Sequence, residues 1–159
     1  MRNVLVTYFS ASGVTAKAAE KLAKAAGADL FEIKPEVTYS SADLDWTNKK
    51  SRSSVEMADK KSRVAMSGKV ANMEQYDTVF VGFPIWWGVA PHIVNSFLEA
   101  YDFSGKKIHL FATSGGSGMG RSMAELKPSA PNAVWGSEKK LPAGLSQADA
   151  DAWVKEILK

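Results

Sequence analysis

The chain has 159 residues, of which 45% are hydrophobic and 23% are charged. This length and balance are typical of one soluble globular domain and exclude a disordered or collagen-like chain. The absence of cysteine excludes disulfides, cysteine-based zinc sites, iron–sulfur ligation and thiol catalysis. The net charge of +3 at pH 7 comes from one segment, residues 48–63, which holds six basic and two acidic side chains.

The basic segment and the N-terminus each exclude a class of partner. No nucleic-acid recognition motif or row of stacking aromatic residues accompanies the basic residues, so we expect no nucleic-acid partner. The first apolar run, residues 4–9, is too short for a signal-peptide core, and no apolar run reaches a membrane-spanning length. We therefore expect a cytoplasmic protein that binds no membrane.

The first predicted strand, residues 3–9, leads into a loop rich in hydroxyl side chains. Ser10, Ser12 and Thr15 lie here, around the N-terminus of a helix predicted to end at Gly27. Hydroxyl groups and free backbone N–H groups at a helix N-terminus suit a phosphate monoester. A simple helix cap is the alternative, although one hydroxyl would be enough for it.

A second strand is predicted at residues 30–34, and residues 35–76 follow it as a long connection. This segment contains Tyr39, Trp46 and Tyr76 but little sustained apolar periodicity. A connection of 42 residues is too long for a bare loop in a compact domain. We expect a partly helical insert that covers one edge or the mouth of the sheet.

The third predicted strand, residues 78–83, ends at two adjacent tryptophans, Trp86 and Trp87, and a helix is predicted over 91–101. Adjacent side chains point in different directions, so one packed layer does not normally take both. A planar aromatic ligand stacked on one of them explains the pair better. The alternatives are an apolar plug and a dimer contact.

The fourth predicted strand, residues 108–113, is followed by four glycines within the six residues from Gly115 to Gly120. Such a loop lets backbone approach a ligand closely; the alternative is a flexible surface loop. The loop matches neither the dinucleotide-binding glycine motif nor the nucleotide-triphosphate P-loop, because Arg121 stands at the position of a required glycine or lysine.

The remaining predicted elements are helices over 117–126 and 146–158 and a weak fifth strand over 133–136. Alternating strands and helices indicate a doubly wound α/β fold, in a single domain spanning residues 1–159. In such folds ligands bind beyond the carboxyl ends of the strands, where all three unusual loops lie. Neither histidine has a metal-ligand spacing, and no acid–base pair follows a strand. We therefore predict no catalytic and no metal-binding side chains, and assign the chemistry to a cofactor.

In the order and spacing of these loops, the sequence resembles the flavodoxins over nearly the whole chain. The resemblance implies a flavodoxin-like three-layer sandwich with a five-stranded parallel sheet, and FMN bound without a covalent bond. The segments that carry it are residues 8–10 (YFS), 29–33 (DLFEI), 76–77 (YD), 84–88 (PIWWG), 101–106 (YDFSGK) and 115–118 (GGSG).

The resemblance also implies which residues bind the cofactor, in three loops. The phosphate loop corresponds to Ser10, Ser12, Gly13, Val14 and Thr15. The loop flanking the isoalloxazine ring corresponds to Pro84, Ile85, Trp86, Trp87 and Gly88. The loop on the other side of the ring corresponds to Thr113, Ser114, Gly115, Gly116 and Gly118.

Three functions remain open from the sequence. The first is an FMN-binding protein that carries electrons to or from a redox partner protein or a small-molecule donor or acceptor. The second is an FMN-dependent NAD(P)H:quinone or azo-type oxidoreductase, which needs room for a substrate over the flavin. The third is a flavin-free binding or scaffold module. The basic segment is either a solvated face of the insert or a docking patch for an acidic redox partner or an anionic substrate.

Overall fold

The structure, a computed structural model, describes residues 3–11, 13–113 and 118–158. Strands are formed by β1 (Val4–Tyr8), β2 (Asp29–Glu32), β3 (Lys34–Pro35), β4 (Met66–Ser67), β5 (Thr78–Pro84), β6 (Lys107–Thr113) and β7 (Val134–Lys140). Helices are formed by α1 (Val14–Ala26), α2 (Arg52–Ala58), α3 (His92–Glu99), α4 (Ser122–Leu126) and α5 (Gln147–Ile157), with 3₁₀ turns at Met73–Gln75 and Lys127–Ser129.

The five longer strands form one parallel sheet in the order β2-β1-β5-β6-β7. Counted along the chain among themselves, these strands have the order 2-1-3-4-5, a doubly wound arrangement whose switch point lies between β1 and β5. The predicted five-stranded flavodoxin-like α/β fold is therefore confirmed. The loops that follow β1 and β5 flank the switch point, where ligands bind in such sheets.

The three central strands of the sheet, β1, β5 and β6, are buried on both faces, as their continuous apolar runs predict. Along β5, Val79 and Val81 pack in a core cluster that includes α3, whereas Phe80 packs in a second cluster under α1 and α5. Successive strand residues point to opposite faces, so a strand between two helix layers needs apolar residues at every position. This burial holds the ends of β1, β5 and β6 in fixed positions.

The prediction of a helix over 117–126 is wrong in its described part, because α4 begins only at Ser122. The preceding residues turn instead, with Gly120 in a left-handed conformation (φ 57°). The amide of Arg121 donates to the carbonyl oxygen of Gly88 at 3.0 Å. A contact with a distant loop therefore delays the start of α4, and local periodicity carries no sign of it.

The fifth strand is longer than predicted, since β7 runs over Val134–Lys140 and not over 133–136. It lies at the edge of the sheet and exposes charged residues, including Glu138 and Lys139, that do not look like strand residues. The other predicted elements differ from the observed ones by at most two residues at either end.

The segment 35–76 begins at the last residue of β3 and contains α2, β4 and the Met73–Gln75 turn. Strands β3 and β4 form a short antiparallel pair. The segment packs on the face of the sheet that carries α3. There the amide of Val64 donates to Ser96 Oγ at 2.9 Å, and Val64 joins the α3 core cluster. None of the helices in the described part of the chain has the length and apolar content that crossing a membrane requires.

Candidate functional site

The loop after β1 uses its first hydroxyl to cap α1. Ser10 Oγ accepts hydrogen bonds from the amide of Gly13 at 3.0 Å and from the amide of Ala16 at 3.3 Å. Gly13 stands before the helix with φ 93°. The capping interpretation of Ser10 is therefore what the structure shows for this side chain, and Ser12 lies outside the described residues.

The second described hydroxyl of this loop joins two elements. Thr15 Oγ1 lies 2.7 Å from Thr113 Oγ1, and both residues are buried, so this bond ties α1 to the end of β6. Helix geometry leaves the first-turn amides of Val14 and Thr15 without an intrahelical acceptor. No hydrogen bond between described residues uses them. An anion at this helix end would therefore be bound mainly by backbone N–H groups.

The tryptophan pair lies on a tight turn after β5. Trp86 and Val89 exchange two backbone hydrogen bonds of 2.9 and 3.2 Å. Between them, Trp87 has φ 52° and Gly88 has φ 80°. Two consecutive positive φ values define a type I′ turn, which glycine favours and tryptophan does not. Trp87 is thus held in a conformation that costs on the order of 1–3 kcal/mol for a bulky side chain.

The turn separates the two tryptophans. Trp86 is half-buried and makes edge-to-face contacts with Phe9 and Tyr39, at ring-centroid distances of 5.7 and 5.5 Å. Trp87 is 51% exposed. Trp86 therefore belongs to an aromatic cluster that connects the turn to the insert, and Trp87 is the tryptophan whose ring is open to a ligand.

Two hydrogen bonds connect this turn to the loop after β6. The amide of Ile85 donates to the carbonyl oxygen of Thr113 at 3.0 Å, and the amide of Arg121 donates to Gly88. A Cβ at Gly120 would lie 2.1 Å from the Gly88 carbonyl oxygen, so this approach requires glycine.

The other predicted residues of these two loops differ in their burial. Half-buried Pro84 ends β5, and half-buried Ile85 packs against the α3 core cluster. Gly118 is exposed, and Ser114, Gly115 and Gly116 lie outside the described residues.

A cleft of about 1110 Å³ adjoins the tryptophan turn and separates the insert from α3 and α4. The sequence predicts an insert over one edge or the mouth of the sheet, but not the other walls of this cleft, which forms only when the insert folds over α3. Its lining residues are Trp46, Thr47, Lys49, Ser54, Met57, Ala58, Lys60, Arg63, Trp87, Val89, Ala90, His92, Asn95, Glu99, Arg121, Glu125, Pro128 and Ser129. Trp87, from the predicted ring loop, lines this cleft, and so does Arg121, which follows the glycine-rich loop after β6. No residue of the loop after β1 lines it.

The two arginines of the basic segment have structural partners. Arg52 Nε donates to Glu56 at 3.0 Å, and its guanidinium carbon lies 3.8 Å from the centre of the Tyr39 ring. Arg63 donates two hydrogen bonds to Glu99, of 2.8 and 2.9 Å, and these bonds hold the pKa of the Glu99 carboxyl below its usual range. Arg63 therefore ties the insert to α3, whereas Arg52 makes its contacts within the insert.

His92, which lines the cleft, is hydrogen-bonded through one ring nitrogen. Its Nδ1 lies 2.6 Å from Ser62 Oγ, and the Ser62 hydroxyl donates to the carbonyl oxygen of Glu56. Because that hydroxyl has a single proton, we assign the imidazole proton to Nδ1, which leaves Nε2 as an acceptor. Burial and the nearby Arg63 charge lower the pKa of His92, so the neutral ring is the form present at pH 7.

The flavodoxin family model matches residues 3–157. The chain belongs to the flavodoxin family. Among curated protein sequences, none matches this chain.

Three crystal structures show how widely the fold of this flavodoxin-family chain recurs. A candidate flavoprotein from Bacteroides eggerthii DSM 20697 is 48% identical, with 100% of this chain and 99% of that chain covered and a TM-score of 0.93. A candidate flavoprotein from Bacteroides uniformis ATCC 8492 is 46% identical, with 97% and 98% covered and a TM-score of 0.92. A flavoprotein from Lactobacillus acidophilus NCFM, in complex with FMN, is 20% identical, covers 100% of both chains and has a TM-score of 0.74.

Proposed function

We propose that this flavodoxin-family protein binds FMN without a covalent bond and carries electrons through it. The Lactobacillus acidophilus flavoprotein, which shares the fold, was crystallised in complex with FMN, and this supports the choice of cofactor. The observation that carries the proposal is a pairing of groups at the switch point of the sheet. The first-turn amides of α1 follow β1, and the exposed Trp87 follows the neighbouring strand β5.

The residues present fit this cofactor. The amides of Val14 and Thr15 would hold the phosphate, aided by the dipole of a 13-residue helix and without a fixed positive charge. Trp87 would offer its indole face to the isoalloxazine ring. Of the residues assigned to the other side of the ring, the structure describes Thr113, at the end of β6, and Gly118.

When bound, FMN would supply the one- and two-electron chemistry. The protein's own contribution is to orient the cofactor. Ser10 holds the start of α1 in place, the Thr15–Thr113 bond sets the spacing between the helix and β6, and the bonds from Ile85 and Arg121 hold the two ring loops together.

Titration of the purified protein with FMN, followed by absorbance and flavin fluorescence, tests the proposal. We expect saturable binding at micromolar concentrations or below, and weaker binding by Trp87→Ala. Val37→Ala is a matched control, because Val37 is also exposed and lies outside the three loops. A protein that stays colourless with FMN would contradict the proposal and support a flavin-free binding or scaffold module.

The cleft beside Trp87 favours a second candidate, an FMN-dependent NAD(P)H:quinone or azo-type oxidoreductase. Such an enzyme needs a substrate site next to the cofactor, and the cleft contains Trp46 from the insert. Steady-state oxidation of NAD(P)H with a quinone separates the two functions. A carrier shows negligible turnover without its partner, whereas a reductase turns over alone.

A further inference from the structure

The cleft between the insert and α3 has the features of a ligand site. We propose that it binds a planar aromatic molecule that carries a negative charge. The aromatic contacts come from Trp46 and Trp87, and the positive charge comes from Lys49, Lys60 and Arg121. The inference extends the proposed function, because Trp87 also lies in the predicted ring loop, but the other four residues belong to no predicted flavin-binding position.

Both tryptophans of the cleft are open to solvent. Trp46 is 71% exposed and Trp87 is 51% exposed, although both line the same concave surface. Indole rings left open to water inside a cleft can bury large flat areas when a planar ligand enters. The apolar side chains of Met57, Val89 and Pro128 extend this surface.

The charge of the ligand follows from the pairing of the ionic groups in the lining. Arg63 and Glu99 neutralise each other through two hydrogen bonds. The Glu125 carboxylate is shared, at 4.0 Å from Lys60 and 3.9 Å from Arg121. Two cations therefore compete for one anion.

Lys49 adds a further positive charge to this lining. It forms no ion pair within 4.0 Å among residues 3–11, 13–113 and 118–158. The lining thus keeps an excess of positive charge, which favours an anionic ligand.

The size of the site points to a small molecule. A cleft of about 1110 Å³ lies just above the usual range of small-molecule sites, which extends to about 1,000 Å³. Its four walls come from the insert, the tryptophan turn, α3 and the α4 region, so the site is concave.

Equilibrium dialysis of anthraquinone-2-sulfonate against the protein, with and without saturating FMN, tests the inference. The uncharged 2-(hydroxymethyl)anthraquinone is the ring-matched control. We expect the sulfonate to bind more tightly than the neutral compound, and we expect added salt to reduce that difference.

Two sets of variants assign the binding to the cleft. Trp46→Ala should weaken sulfonate binding about tenfold, since one stacked ring is lost, and Trp46→Phe should restore part of it. The double variant Lys49→Gln/Lys60→Gln should weaken sulfonate binding about fivefold and leave binding of the neutral compound unchanged. Lys50→Gln/Lys61→Gln removes the same charge from the same segment outside the cleft and should change binding by less than about twofold.

NADPH is tested in a parallel experiment, because it also combines flat rings with negatively charged groups. If its binding falls in the same cleft variants, the ligand source is a nicotinamide dinucleotide; if only the sulfonate responds, the source is a small aromatic acid. Both outcomes support an aromatic anion site.

The inference is overturned if neither anion binds, or if the Lys50/Lys61 control variant weakens binding as much as the cleft variant. FMN titration of the same samples keeps the two proposals apart. Trp46→Ala should leave FMN affinity unchanged. If the unsubstituted protein fails to bind FMN but still binds the sulfonate, that result would contradict only the proposed function.

Discussion

The loop after β1 and the turn after β5 flank the same switch point but offer a ligand different parts of the chain. In the first loop the described hydroxyls are already used, since Ser10 caps α1 and Thr15 is bonded to Thr113, so backbone amides remain. In the turn the backbone is used, through the Trp86–Val89 bonds and the Gly88 carbonyl, so the Trp87 side chain remains. A backbone site depends on loop shape, whereas a side-chain site can be removed by one substitution.

The largest expected effect separates the two tryptophans of the turn. Trp86→Ala should lower the free energy of unfolding by about 3 kcal/mol, because it removes the ring that packs against Phe9 and Tyr39. Trp87→Ala should change it by less than about 0.5 kcal/mol, since that ring is exposed. Urea unfolding of the FMN-free proteins measures both. Equal losses would mean that Trp87 also belongs to the core.

The buried His109 makes the free energy of unfolding depend on pH. Burial lowers the pKa of His109, in β6, to about 4, while an unfolded histidine titrates near 6.5. The folded protein therefore keeps His109 neutral, and its stability should fall as the pH drops from about 6.5 towards 4, by up to about 3 kcal/mol.

The variant His109→Asn isolates this contribution. His109 Nδ1 accepts the amide of Ser137 at 2.9 Å, and an asparagine oxygen can take over that acceptor role without titrating. We expect a smaller loss of unfolding free energy between pH 7 and pH 5 in this variant. An identical pH slope in both proteins would rule out His109 as the cause.

The strained position of Trp87 gives a test in which binding and stability move in opposite directions. Trp87→Asn creates the residue pair that type I′ turns favour most, so stability should rise by about 1 kcal/mol. Loss of the ring should weaken FMN binding by about 1–3 kcal/mol. Trp87→Phe should keep most of the affinity. An unchanged FMN affinity in Trp87→Asn would show that this ring does not stack on the cofactor.

The smallest expected effect concerns the hydroxyl of the loop after β1. Ser10→Ala should lower the unfolding free energy by about 1 kcal/mol through loss of the α1 cap, and FMN affinity should fall less than in Trp87→Asn. Ser10→Thr, which retains the acceptor, should behave like the unchanged protein. If Ser10→Ala abolished FMN binding at normal stability, the hydroxyl would be a direct ligand and the contrast between the two loops would be wrong.

Much of the fold could be predicted from the sequence because its signals are local. The continuous apolar run of β5 predicts burial on two faces, and Gly27 marks the end of α1. The start of α4 could not be predicted, because a hydrogen bond from Arg121 to a loop more than thirty positions away in sequence ends the turn there. Nor could the length of β7, whose exposed edge position admits charged residues.

The candidate site could also be predicted only in part. The sequence alone identified three loops at strand ends, because glycines, hydroxyls and paired tryptophans at such positions indicate a ligand site without any knowledge of tertiary contacts. Only the tertiary structure distinguished Trp86 from Trp87, since both have the same local sequence and differ only in what packs against them.

The basic segment, residues 48–63, shows most clearly that local sequence does not give the tertiary contacts of a side chain. Its sixteen residues were identifiable from charge alone, but their roles depend on partners brought close by folding. Arg63 meets Glu99 of α3 and fastens the insert, while Lys49 and Lys60 line a cleft that exists only because the insert packs over α3. Residue type determines which charges a chain carries, and tertiary contacts decide which of them remain available to a ligand.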